Sequence, residues 1–276
     1  WANGGPPGSL PSSVSWGNLA INITSLGGAW QQSAALSTVQ GHLNIQATGG
    51  NELRFNANTP IAPVFSIGSL SISGGTVIFS SGTSNPTVNI NGDINLTGGI
   101  LNLSSSLGAA TVAVSGDVNI NGGTLNLGSS TGASNITLYG NWTRTSGTFI
   151  PNNKYVYFGG SGIQTINSTG GETFSYLVVQ NNSTVQLLSA VNVINSNGLS
   201  LQSSAANNID LNGQTMTLTG GGNLSLSSGN RTIGSSSGTG IFNVTTSDLT
   251  ISNGGTLTFA SSVEVQISKG FDCGTG

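Results

Sequence analysis

Glycine pairs recur at a fixed spacing through the middle of the chain and constrain its fold more than any other feature. They fall at Gly74-Gly75, Gly98-Gly99 and Gly122-Gly123, and Ser146-Gly147 continues the series, so that each step is 24 residues. Self-similarity at a fixed period is typical of repeat proteins, whose units stack on one another. The range 64–150 contains the most regular repeats.

Apolar residues line up in columns when the repeats are aligned. Within one repeat they alternate with polar residues over the segments 87–90, 93–96 and 100–103, and each segment predicts a short strand with one inward face. Three such strands cannot bury their inner faces alone, but stacked copies enclose a continuous core. The predicted columns are Val64, Val88, Val112 and Ile136; Leu70, Ile94, Val118 and Trp142; Ile72, Leu96, Ile120 and Arg144; and Val77, Leu101, Leu125 and Phe149.

The sequence therefore predicts an all-β fold, a right-handed parallel β-helix with about 24 residues and three short strands per turn. Roughly eleven turns would fit the length of the chain. No linker or change in composition divides it, so we expect a single solenoid domain over 1–276. The segment 1–40 is irregular and, with Trp1, Trp16 and Trp30, is a candidate N-terminal cap.

Charged residues make up 5% of the chain and the net charge is −3. A coiled coil or a basic nucleic-acid-binding protein depends on charge, so the composition favours neither. No apolar run approaches the roughly 18 residues of a membrane helix. We therefore expect no nucleic-acid partner and no membrane insertion. Dense Asn, Ser and Thr side chains are expected to keep the chain soluble, as is common in secreted proteins, and the lone Cys273 cannot form a disulfide within the chain.

The charged residues also bear on catalysis. Glycosidases need two positioned carboxylates, and the chain has eight acidic residues and a single histidine spread over its length. Only Asp93 and Asp117 are brought together by the repeat, as stacked residues at a corner. They could bind calcium or sodium weakly, but calcium takes six to eight oxygen ligands, so turn residues are the favoured interpretation. The sequence predicts no enzyme, no cofactor and no strong metal site.

Aromatic and threonine residues supply the remaining candidates for a binding surface. Tyr155, Tyr157 and Tyr176 are candidates for exposed stacking against glycans, whereas Trp142 falls in an inward column and is expected in the core. Alternating threonines over 215–219 would suit an ice-binding face only if other turns repeated them, which they do not.

The run from Tyr155 to Leu188 includes Phe-Gly-Gly-Ser-Gly-Ile-Gln-Thr-Ile at 158–166. This run and the phrase at 211–218 resemble repeats of large secreted surface proteins of Bacteroidota-type bacteria. The segment 121–127 is similar to autotransporter-associated strand repeats. The resemblance implies export, an extracellular or cell-surface location and very long parent chains, and it transfers no catalytic residue.

These observations favour an extracellular structural role as a stalk, fibre or filament segment of a bacterial surface protein or adhesin. A carbohydrate-binding surface module is the alternative, and an ice-binding protein is a weaker one. The C-terminal segment 263–268 reads as another strand, with no capping helix after it. We therefore expect end-to-end self-association or continuation in a longer repeat chain, with surface glycans as further candidate partners.

Overall fold

A computed structural model describes residues 14–32, 38–57, 62–128, 132–203, 207–226, 229–252 and 255–272. The chain is an all-β parallel β-solenoid with about 24 residues per turn and about ten turns. This confirms the predicted fold class, with slightly fewer turns than expected. Contacts divide the chain into unit 1, Trp1–Thr137 with Arg144–Lys154, and unit 2, Leu138–Thr143 with Tyr155–Gly276. In the described part of the chain, no helix is long and apolar enough to cross a membrane.

Unit 1 is built from short strands in parallel ladders. Its strands are β1 (Ser15–Trp16), β2 (Leu19–Ile23), β3 (Trp30–Gln31), β4 (Thr38–Thr48), β5 (Glu52–Ala57), β6 (Val64–Ile72), β7 (Thr76–Ser81), β8 (Thr87–Ile90), β9 (Ile94–Leu96), β10 (Ile100–Ser104), β11 (Thr111–Val114), β12 (Val118–Asn126) and most of β13 (Asn135–Leu138) and β14 (Trp142–Ile150).

The register of unit 1 follows the 24-residue period in three of the predicted columns. Leu70 pairs with Ile94 and Ile94 with Val118, and the neighbouring columns repeat this spacing. The inward side chains of these strands are fully buried, as alternation predicts for a half-buried ladder. The last members of two columns depart from this pattern, because Arg144 and Phe149 are only half-buried.

The prediction for Val64 was wrong. Val64 is 57% exposed and pairs with Thr87, whereas its neighbour Phe65 is buried and pairs with Val88. The corner inside β6, Gly68–Ser69, contains one residue fewer than the corner of the next turn, Asn91–Asp93, so the spacing is 23 residues before this corner and 24 after it. A shift of one residue turns every side chain of a strand to the opposite face.

Much of the N-terminal segment is more regular than expected. Leu19–Ile23 pairs in parallel with β4, and its Ile21 and Ile23 are buried. Trp30 is also buried and stacks in register on Leu53, so it belongs to the core of unit 1. Residues 1–13, including Trp1, lie outside the described residues.

Unit 2 repeats three strands in every turn. Its strands are β15 (Tyr155–Phe158), β16 (Ser161–Ser168), β17 (Glu172–Phe174), β18 (Tyr176–Val179), β19 (Asn182–Leu187), β20 (Val191–Val193), β21 (Leu199–Leu201), β22 (Asn207–Asp210), β23 (Thr215–Leu218), β24 (Gly222–Leu226), β25 (Gly229–Gly234), β26 (Gly240–Val244), β27 (Leu249–Ser252), β28 (Gly255–Phe259), β29 (Val263–Ile267) and β30 (Phe271–Asp272).

Every third strand of unit 2 pairs in parallel, which gives three ladders. The first ladder begins with β15, the second with β16 and the third with β17. Their inward residues are fully buried until the last described turn. There the apolar side chains become accessible: Val265 is 36% exposed and Phe271 is 55% exposed.

Candidate functional site

The structure brings the three candidate tyrosines together on unit 2. Tyr155 pairs in register with Tyr176, and their ring centroids lie 4.3 Å apart at an interplanar angle of 16°. Tyr157 lies two residues along the same strand, with its ring centroid 5.7 Å from that of Tyr155. The tyrosines therefore form one stacked cluster.

Stacking limits which surfaces of these tyrosine rings a ligand can reach. The rings of Tyr155 and Tyr176 face each other, so these faces are engaged before any sugar arrives. Tyr155 is 37% exposed, and the other two rings are half-buried. Burial raises the pKa of Tyr157, and the neighbouring Tyr155 adds to the shift. The cluster offers ring edges and hydroxyl groups to a ligand, and glycan stacking on it stays a prediction.

Asp93 and Asp117 are neighbours at a corner of unit 1. An Asp93 carboxylate oxygen accepts a hydrogen bond of 2.8 Å from the backbone N–H of Asp117. This geometry matches that of a turn residue, in which the side chain satisfies a backbone donor. Across the described ranges, no three His, Cys, Asp or Glu side chains are grouped so that they could bind a metal ion.

A buried polar network in unit 2 was not found from the sequence. The buried Glu172 carboxylate accepts hydrogen bonds of 2.8 Å from the indole N–H of Trp142 and from the Ser168 hydroxyl. Trp142 is fully buried, as its column predicted. Tryptophan needs a partner for its N–H when buried, and Glu172 supplies it. The need to satisfy the buried indole N–H of Trp142 therefore explains the network.

Two basic side chains are buried, and the histidine has a hydrogen-bonding neighbour. Burial lowers the pKa of Lys154 in unit 1. Arg231 is buried in unit 2 and donates to the carbonyl oxygens of Leu201 and Asn230. His42 lies 2.7 Å from the hydroxyl of Ser69. A buried guanidinium bonded to backbone carbonyls contributes to packing and offers no proton acceptor.

An elongated groove of about 450 Å³ runs over the outer face of the second ladder of unit 2. Its lining reaches from Ile163 on β16 to Ala260 just after β28. The lining spans five successive strands of the ladder, and the four spacings between them correspond to a length of about 19 Å. A volume of this size is in the range of known ligand sites. We therefore take this groove as the candidate functional site.

Asp210 stabilises one wall of the groove through hydrogen bonds. Its carboxylate accepts hydrogen bonds of 2.6 Å from the Ser236 hydroxyl and 2.7 Å from the Gln186 carboxamide. The backbone N–H groups of Ser236 and Asn212 donate two more, at 2.8 and 3.0 Å. Burial by itself would raise the pKa of Asp210, but these four hydrogen bonds outweigh it and lower the pKa. The serine-rich loop 235–239 is thus anchored to the preceding turn.

Asp210→Asn is expected to loosen this loop and to lower the melting temperature by about 2–4 °C near neutral pH. Since the folded-state pKa of Asp210 lies below its unfolded value, its contribution is present above the unfolded pKa. It is lost as pH falls through the folded pKa. The melting difference between wild type and variant should therefore shrink on acidification. A difference independent of pH would contradict this, and Asp248→Asn, at an exposed side chain, serves as the control.

No family model matches the chain, and no curated protein and no solved structure matches it significantly.

Proposed function

We propose that this chain is a non-enzymatic structural β-solenoid, a stalk, fibre or filament segment of an extracellular surface protein or adhesin. The observation that carries the proposal is the parallel stacking within each unit, over inner faces that are buried up to the last described turn. A stack of this kind is stiff, because each strand is paired on both sides and its side chains are close-packed. Stiffness over many repeats is what a spacer requires.

The arrangement of charges supports a structural role over catalysis. Glu172 is bonded to Trp142 and Ser168, and Asp210 accepts four hydrogen bonds. A carboxylate whose acceptor sites are used in this way is a poor general base or nucleophile. The extracellular location is proposed from the low charge of the chain and from the resemblance of its repeats to those of secreted surface proteins.

The last described turn of unit 2 supports end-to-end association. Its Val265 and Phe271 are accessible, although their counterparts in earlier turns are buried. The open edge of a solenoid turn fits another solenoid turn, because the strand spacing and the alternation of side chains match. We propose that this edge is covered by a further turn, from a second copy or from a longer repeat chain.

End-to-end association predicts concentration-dependent assembly of the purified chain. Electron microscopy and sedimentation velocity should show short particles at low concentration and longer assemblies at high concentration. Val265→Lys should keep the protein short at all concentrations, because a charge would then face the added turn. Thr173→Lys, at an exposed position on another strand of unit 2, is the matched control and should assemble like wild type. Particles of one short length at every concentration would contradict self-association.

A carbohydrate-binding surface module is the second candidate, and the groove on unit 2 is the observation that favours it. Its lining is rich in hydroxyl groups, and the volume is adequate for several sugar rings. The groove does not support ice binding in the same way. The outward column through the groove reads Gln186, Asp210 and Gly234 in successive turns, whereas an ice face needs one repeated hydroxyl residue.

A further inference from the structure

The groove exists because one outward column changes from long to short side chains. Gln186 pairs with Asp210, and Asp210 pairs with Gly234 in the next turn. A Cβ atom built on Gly234 would lie 3.8 Å from the Cβ of Ala260, so two small residues follow one another. They form a low floor, while the loop that contains Ser236 forms a wall beside it. The trough therefore runs parallel to the stacking direction of the ladder.

The lining combines neutral hydrogen-bonding groups with one exposed apolar side chain. Asp210 is its single charged residue among those that the structure describes, and its carboxylate already accepts four hydrogen bonds. Gln186 uses its nitrogen in the bond to Asp210, so its carboxamide oxygen remains an acceptor. Thr232 lines the same space, and Ile163 at one end is 67% exposed.

We propose that this groove binds a neutral oligosaccharide chain lying along the ladder, an inference that rests on the carbohydrate-binding candidate and not on the structural role. Sugar hydroxyls both donate and accept hydrogen bonds, and so do the threonine and serine hydroxyls of the lining. The apolar face of one sugar ring packs on Ile163, and hydroxyls of the next rings bond Gln186 and Thr232. A charged glycan gains nothing here, because no basic side chain lines the groove in the described part of the chain.

An extended peptide fits this groove less well. Peptides that add to a sheet pair with an unpaired strand edge, whereas the groove lies on the face of a ladder whose strands are already paired. Peptides that bind on a face need apolar pockets for their side chains. The groove offers a continuous trough with Ile163 as its exposed apolar side chain. A chain of neutral sugar rings needs no such pockets.

The test is a titration of the methyl-labelled protein with neutral hexasaccharides: cellohexaose, laminarihexaose, mannohexaose and maltohexaose. At least one should shift the nuclear magnetic resonance signals of the Ile163 and Ala260 methyl groups, and hexagalacturonate should bind more weakly. Gly234→Gln should weaken binding by about tenfold or more, because its side chain fills the floor. Gly234 has no left-handed φ and a Cβ there meets only ordinary contact, so this variant should fold.

Thr173→Gln, on a strand of the third ladder, is the matched control and should bind like wild type. The inference is overturned if no neutral hexasaccharide shifts either methyl group, or if Gly234→Gln binds as well as the control. Tighter binding of an extended Ser/Thr-rich peptide than of every glycan would also overturn it. End-to-end assembly seen in the electron microscope does not depend on the groove, so failure here and failure of the structural role are distinguishable.

Discussion

Leu101→Asp is expected to lower the free energy of unfolding by roughly 4–5 kcal/mol or more, and so to unfold much of unit 1 at ordinary temperature. Leu101 is fully buried and lies in register between Val77 and Leu125. Aspartate there would bury a charge with apolar neighbours on both sides, which costs far more than a lost contact. Loss of the far-ultraviolet circular dichroism signal and of the cooperative melt would confirm it.

Val112→Asp is expected to act in the same way, because Val112 is buried and stacks on Val88. Thr111→Asp is the matched control, since Thr111 is the adjacent residue on the same strand and is exposed. The control should change the free energy of unfolding by no more than about 0.5 kcal/mol. Melting curves for Leu101→Asp and Val112→Asp that coincide with that of wild type would show that the column assignment is wrong.

The sequence was sufficient to predict the stacking because the 24-residue period runs without interruption from Leu70 to Leu125. Strand alternation then identified which residues point inward, as for Leu70, Ile94 and Val118. Val64 was misplaced because both Val64 and Phe65 are apolar, so alternation alone did not choose between them. The choice depends on a corner one residue shorter than the next, and the spacing of the glycines does not reveal that difference.

The groove could not be predicted, because its residues are brought together by turns of unequal length. Gln186 and Asp210 are 24 residues apart, but Asp210 reaches Ser236 across 26 residues, through the longer loop 235–239. No fixed period relates these positions, so aligning the repeats does not reveal the contact between Asp210 and Ser236. Tyr155 and Tyr176, by contrast, occupy equivalent strands in consecutive turns, and glycan stacking on them stays a prediction.

Gly99→Ala is expected to cost roughly 3–4 kcal/mol in free energy of unfolding, for two separate physical reasons. Gly99 has φ of +65°, a left-handed conformation that disfavours a side chain by about 1–2 kcal/mol. A Cβ atom there would also lie 2.6 Å from the carbonyl oxygen of Gly75 in the preceding turn. Neither atom can move without disturbing the stacked turns, so the clash adds to the strain.

Gly50→Ala separates the two causes. Gly50 has a similar φ of +78°, but a Cβ built on it meets nothing within 4 Å. This variant should therefore cost only the conformational strain, about 1–2 kcal/mol. Urea unfolding of both variants measures the difference directly, as a larger fall in the midpoint for Gly99→Ala at an unchanged slope. Equal midpoints for the two variants would mean that the close approach of consecutive turns at the glycine column does not contribute to the stability of the solenoid.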